Sequence, residues 1–299
     1  MKILSPSEWR SRRDAHEARV QPWIEPRLAR RSRGESHPVE DFLFEYYTYR
    51  PAQLHRWHPG LGIALQDGEE FLTHKNYRAS PQGVTADPTT LPPRRRVGIH
   101  WLRKMLAATA DRPPALGCFG LHEWAMVYRA ETIRHESWPL RLSSSEIVAV
   151  VESLGPRCTH FDALRFFTPV ARPLNKHQPT RATSADFEQP GCLHTNMDLY
   201  KWAMKSLPFA SSELVADCFG LARKIRTLDM RASPYDFSAM SLDPVRIETP
   251  AGRAEYEDSQ RDFARKAAPL RQRLIALCDG ILATEPDAAR RLACANAIL

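Results

Sequence analysis

Between Ser211 and Pro234 the chain reads SSELVADCFGLARKIRTLDMRASP, and its apolar residues fall on one line. Leu214, Cys218, Leu221, Ile225 and Leu228 recur in steps of four and three, the spacing that gathers side chains on one face of an α-helix. The segment reads as a helix with one buried stripe. Ser233-Pro234 ends it, because the residue before a proline is pushed out of the helical region.

The same grammar recurs elsewhere. Ser5-Pro6-Ser7-Glu8 is a capping-box pattern with proline at the first helical position, so a helix starts there. Pro22 and Pro26 are expected to limit or kink it. VEDFLFEYY reads as a helix ended by Arg50-Pro51. In RRRVGIHWLRKMLAATA the residues Val97, Trp101, Met105 and Leu106 return at helical spacing on one face. SSSEIVAVVESLG carries a second capping box, Ser143 to Glu146, with Gly155 as a stop, while its β-branched run leaves a strand as the alternative. A helix follows Thr249-Pro250 with a bend at Pro269, and another follows Pro286. Gly60 to Pro93 is rich in turn residues and reads as a long irregular connection with at most a short strand or helix.

The expected class is therefore mainly α: a single helical domain, residues 35–299, with a basic N-terminal helical segment, residues 1–34, packed on it or wrapped round it. Of the net charge of +7, an excess of five basic side chains lies within residues 1–34, which suits phosphate contacts or simply a solvated helix face. With no apolar run long enough to span a bilayer and no secretory start in MKILSPSEWRSRR, the reading is a cytoplasmic protein without a membrane partner. The six cysteines form no Cys-x-x-Cys pair, so reduced thiols are expected.

Three segments repeat one chemistry. GCFGLHEWAMVYR holds Cys118, His122 and Glu123; RCTHFDALRFF holds Cys158, His160 and Asp162; GCLHTNMDLYKWAMK holds Cys192, His194 and Asp198. Imidazole next to carboxylate is what a metal site or an acid–base pair requires. Cys118 and His122 can share a helical face, as can His194 and Asp198, but Cys158 and His160 cannot. No His-Glu-x-x-His and no Glu-x-x-His motif is present. Three readings stand: ordinary core residues, a metal-free acid–base or binding site, or a divalent transition-metal site using His122, His160 and His194. Trp124, Tyr128, Tyr200 and Trp202 flank these segments and would suit a flat, electron-poor ring held by stacking. A glycine turn, His58-Pro59-Gly60-Leu61-Gly62, resembles the hairpin of helix–hairpin–helix proteins, in which backbone N–H groups approach a phosphate.

The strings HPVEDFLFEYYTYRPAQLHRWHPG, LGCFGLHEWAMVYR, RCTHFDALRFFTPVARPLN, EQPGCLHTNMDLYKWA, SELVADCFGLARKIRTLDMRASPYD and VRIETPAGRAEY resemble those of a bacterial family labelled 3-methyladenine DNA glycosylase, over roughly residues 36–280. The resemblance implies a DNA-repair hydrolase that binds DNA and releases alkylated purines by hydrolysing the N-glycosidic bond, with no cofactor. On that reading Asp162, Asp198 and Glu123 are the candidate catalytic carboxylates, and Trp124, Tyr128, Tyr200 and Trp202 the base pocket. Arg94, Arg95, Arg96, Gly60 and Gly62 are then the candidate nucleic-acid contacts. The alternatives from other classes are a metal-dependent enzyme with His and carboxylate ligands, and a non-catalytic module that binds nucleic acid or protein.

Overall fold

A computed structural model describes residues 1–133 and 137–284, so Cys294 and the helix expected after Pro286 lie outside the described residues. The chain is mainly helical with one small sheet. Strand β1 (Lys2–Leu4) leads into helix α1 (Pro6–Ser32), whose capping box forms as expected: Glu8 N–H donates to Ser5 Oγ and Ser5 N–H to Glu8 Oε2. Pro22 and Pro26 do not limit α1. Both sit on its exposed side, where the carbonyls they leave without a helical donor reach water. VEDFLFEYY yields only the short α2 (Phe42–Tyr46), and Pro51 starts α3 (Pro51–His55) rather than simply ending its predecessor.

The stretch expected to be irregular holds three of the four strands. These are β2 (Ile63–Leu65), β3 (Tyr77–Ser80) and β4 (Gly83–Ala86), in sheet order β1-β2-β4-β3, with β1 and β2 parallel and the other pairs antiparallel. Each strand is three or four residues long, too short for alternation to stand out from the surrounding turn residues. Gly83 opens β4 at φ +119°, where a Cβ would lie 2.3 Å from the Leu65 carbonyl oxygen, so only glycine allows this pairing. The glycine turn at Gly60 and Gly62 leads into β2 and not into a second helix. Its Leu61 N–H already donates to the Phe209 carbonyl at 2.8 Å, so the turn is a packing joint.

Helix α4 (Pro93–Asp111) buries Leu102, Met105, Leu106 and Thr109, whereas Val97 and Trp101 are exposed. Successive steps of four each advance the helix by about 40°, so Val97 has rotated about 80° away from Met105 and off the buried face. Then follow α5 (Leu121–Ala125), α6 (Ser144–Leu154), α7 (Phe161–Leu164), α8 (Ser184–Phe187), α9 (Leu193–Lys205), α10 (Ser212–Arg231) and α11 (Pro250–Leu282). Helix α6 settles the helix-or-strand choice: its capping box is complete and Gly155 stops it at φ +65°. Every member of the 214–228 stripe is buried in α10, and α11 runs through Pro269.

Two compact units divide the described residues: 1–107, 199–220 and 269–284 form unit 1, and 108–133, 137–198 and 221–268 form unit 2. The basic segment is part of unit 1, whose core joins Trp9, Trp57, Leu65, Phe71, Phe209 and Ile281. Its arginines pair with acids of the same unit. Arg12 meets Glu213 at 2.7 Å, Arg13 meets Glu70 at 3.0 Å, Arg19 meets Asp217 at 2.8 Å, and Arg27 and Arg30 both hold the buried Asp41. Among the described residues no helix is long and apolar enough to cross a membrane.

The two exposed-looking glycines differ sharply in what they tolerate. Gly83→Ala should lower unfolding stability by roughly 2 kcal/mol or more, through positive φ and the clash with Leu65. Gly98→Ala, in α4 with open space around it, should raise stability by about 0.5–1 kcal/mol through helix propensity. Urea denaturation of the two single variants checks both signs.

Candidate metal centre

Each of the three repeated segments places its cysteine in the loop before a helix and its histidine at the start of that helix. His122 is the second residue of α5, His194 the second of α9, and His160 the N-cap of α7. The three imidazoles meet inside unit 2. The His194 ring stands edge-on to His122 with centroids 4.4 Å apart and stacks on His160 at 5.3 Å and 26°. All three are nearly inaccessible to solvent.

Carboxylates surround them. Helix α10 supplies Arg226 and Asp229, one turn apart on the side that continues its buried stripe. Arg226 Nη1 donates to Glu123 Oε1 at 2.9 Å and to Asp229 Oδ2 at 3.0 Å, fixing both carboxylates. Asp229 Oδ1 then faces His122 Nε2 at 3.0 Å. Neither of these two atoms has a hydrogen-bond partner of acceptable geometry, although both are buried and within reach of each other. Two donor atoms that approach to 3.0 Å without aligning as donor and acceptor are arranged like neighbouring ligands of one ion, since metal bonds of about 2.0–2.2 Å bring adjacent ligands to that separation. A ligand atom of His194 completes a group with them within 4.8 Å. Beside it, His160 Nε2 lies 3.3 Å from Asp198 Oδ2 and 3.9 Å from Glu188 Oε1, a second compact group.

Electrostatics follow from burial. Desolvation works against charge on His122, yet the Asp229 carboxylate outweighs it and raises the imidazole above its ordinary value. Asp229 is likewise opposed by desolvation but pulled below the usual carboxylate range by His122, His194 and Arg226. His194 is driven well down by burial and by His122, so it is neutral and able to bind a cation. Burial pushes the thiols up: Cys192 to about 12, Cys158 well above its usual value, and Cys118 in the same direction. These thiols, His122, His194 and Tyr256 line a cavity of about 10 Å³, close to what one ordered water requires.

The sequence candidates separate clearly. Asp198 and Glu123 belong to the cluster, but Asp162 is partly exposed and pairs with Arg165 at 3.1 Å. The four aromatics do not gather round the cavity. Trp124 is core, its indole N–H donating to the Ala232 carbonyl at 2.8 Å, and Tyr128 donates its hydroxyl to Glu152 at 2.7 Å. Tyr200 and Trp202 belong to unit 1, where Tyr200 packs on Tyr47 and Phe219, and Trp202 on Trp101 with Lys201 and Lys205 over its ring. Arg95 and Arg96 donate to backbone carbonyls of Lys205, Leu91 and Pro88, while Arg94 is exposed. Unit 1 has a wider cleft of about 730 Å³, lined by residues such as Arg50, Trp57 and His74 and by none of the nominated catalytic or stacking side chains. Sequence reasoning missed Asp229, Glu188 and Arg226. The first and last could have been found as charged residues in the apolar register of α10; Glu188, in a loop, carried no such mark.

Set against known proteins, the chain matches no family model, no curated protein and no solved structure. The class of the centre therefore rests on its donor atoms.

In metal-free protein the His122–Asp229 pair makes stability depend on pH. His122 is raised in the fold, so its contribution is full below the unfolded value of about 6.5 and lost as pH rises through the folded value. Asp229 is lowered, so its contribution is full above about 3.9 and lost as pH falls. His194 is lowered too and loses its contribution below about pH 6.5, which is why a single stability curve would blur the pair. The stability difference between chelator-stripped wild type and Asp229→Asn should be greatest between about pH 4 and 6.5 and shrink above it. Denaturation series at several pH values measure this, and a difference that grew with pH would contradict the pairing.

Proposed function

We propose that this protein is a metal-dependent enzyme whose ion is a first-row divalent transition metal held by His122, His194 and Asp229. The observation that carries the reading is the buried, unaligned approach of His122 Nε2 and Asp229 Oδ1 at 3.0 Å. Two imidazoles and one carboxylate are the donor set of Zn²⁺ hydrolases and of non-haem Fe²⁺ sites, and three protein ligands leave coordination positions for water or substrate. An ion there supplies Lewis acidity, or a nucleophilic water at neutral pH. Arg226 and Glu123 serve as positioning residues: the guanidinium fixes the Asp229 carboxylate, and Glu123 balances the guanidinium.

An alkylated-purine glycosylase is the second reading. It is supported by the family resemblance and by a buried carboxylate, Asp198, beside His160. Against it weigh the size of the cavity and the dispersal of the four aromatics, because a flipped base needs both a roomy pocket and stacking faces.

Elemental analysis of protein purified without chelator should find a transition metal bound to wild type. His122→Ala and Asp229→Ala should weaken its binding by about 10²-fold or more, a larger loss than the 10–100-fold usual for outer partners. Folded wild type that binds neither Zn²⁺, Fe²⁺ nor Mn²⁺ would falsify the metal reading. Base release from methylated DNA that persists undiminished after metal stripping would instead establish the glycosylase.

A further inference from the structure

The cleft of about 730 Å³ lies wholly within unit 1 and has no part in the metal reading. One of its walls is a single face of α1, where Arg13, Glu17, Gln21, Ile24, Leu28 and Arg31 follow steps of four and three. Helix α3 with its flanking Arg50, Arg56 and Trp57, and a 3₁₀ turn (Glu69–Thr73) followed by His74, complete the lining. From Arg13 to Arg31 helix α1 rises about 27 Å, so the cleft is a groove of about that length. Spread along it, the volume gives a mean cross-section of roughly 27 Å². That is room for one extended chain and not for a fused ring system.

The floor of the groove is apolar and its rim is cationic. Ile24, Trp57 and Phe71 are buried, and the exposed Leu28 extends their surface along α1. Arg31, Arg50 and Arg56 are exposed at the rim. The lining holds four arginines against two glutamates, an excess of two positive charges. Both acids lie toward one end: Glu70 pairs with Arg13 at 3.0 Å, and Glu17 stands one turn along α1 from Arg13. Among the described residues Arg31, Arg50 and Arg56 make no ion pair. Arg31 follows Leu28 by three residues, so at this end an uncompensated guanidinium adjoins exposed apolar surface.

We propose that this groove binds a free long-chain alkyl carboxylate, its head on Arg31 and its chain running over Leu28 and Ile24 toward Trp57 and Phe71. A guanidinium offers a carboxylate two parallel N–H donors, and the chain leaves water for the apolar floor. Glu17 and Glu70 repel the head from the opposite end and so orient the molecule. The site goes beyond the metal reading and does not depend on it.

The test is calorimetric titration with decanoate, dodecanoate and tetradecanoate, each below its micelle concentration. Full-length protein is first stripped with chelator, so that a metal–carboxylate bond cannot supply the binding. Wild type should bind one dodecanoate per chain. Affinity should rise about tenfold for each two added methylenes, the increment expected when both are buried. Methyl dodecanoate, which lacks the charge, should bind at least tenfold more weakly. Arg31→Gln, an exposed change that leaves the core intact, should lose tenfold or more, and Arg50→Gln and Arg56→Gln less. Arg33→Gln, outside the groove and paired with Glu35, should bind as wild type does. Affinity independent of chain length, or unchanged in Arg31→Gln, overturns the proposal. So does failure to bind dodecanoate by protein that instead binds an acidic peptide or phosphatidylserine vesicles through Arg31.

Discussion

The fold of unit 2 depends on how four buried carboxylates are neutralised. An isolated carboxylate transferred from water into such an interior costs several kcal/mol even after relaxation, so each must meet a partner that is equally well held. Arg226 is the pivot. It lies on α10, with the carboxylates it bridges on α5 and one turn further along α10 itself. Its position forces α5 against α10 in one register, and that register aims His122 at Asp229. Replacing Arg226 by an apolar residue would take the guanidinium from two buried carboxylates and leave His122 as the cation facing both, a change more costly than the loss of packing.

Backbone geometry makes this approach possible. Gly120 stands before α5 at φ +69°, and a Cβ there would meet the Tyr256 hydroxyl at 3.3 Å. From the same helix α11, Gln260 donates to the Gly191 carbonyl at 2.8 Å, pinning the loop that delivers Cys192 and His194. The loop ahead of α7 is tied in a similar way: Cys158 N–H donates to Asn175 Oδ1 and Asn175 Nδ2 donates back to the Cys158 carbonyl. Three loops, three short approaches to a helix start and three histidines thus have one structural cause. A side chain in the first turn of a helix projects back over the preceding loop, so histidines placed there can meet at a common centre between helices.

Local structure was legible where a rule acts within one or two helical turns. The α10 stripe, the two capping boxes and the Gly155 stop all follow from local spacing, and all appear. The convergence of His122, His160 and His194 was legible only as repetition, because nothing in spacing says that loops 34 or more residues apart must meet. Asp162 shows the limit. In the sequence it mirrors Asp198, four residues or fewer after a histidine, yet α7 is a single turn and turns Asp162 outward to Arg165. The strands of unit 1 failed for a different reason: with three or four residues each, their pairing is fixed by partners such as Leu65 and Gly83 and not by an internal pattern. The helical nature of the basic segment follows from its capping box, but its charge is met by acids brought from Glu70, Glu213 and Asp217, which no local window contains.

The thiols of these segments play a different part from the histidines. Desolvation raises all three, and mutual proximity adds to it for Cys158 and Cys192, so they keep their protons near neutral pH. A protonated thiol is a poor ligand and a poor nucleophile. Tyr256 is held neutral for the same reason, first by burial and then by Cys118 and Asp229. One wall of the small cavity is therefore neutral and compact, while the imidazoles of His122 and His194 form the other. On the proposed metal reading the donor atoms are nitrogen and oxygen, which suits Zn²⁺, Fe²⁺ or Mn²⁺ better than the thiolate sets of structural zinc sites. The small polarisable thiols fill the remaining volume, so the cavity that adjoins His122 and His194 has room for a molecule of about the size of water.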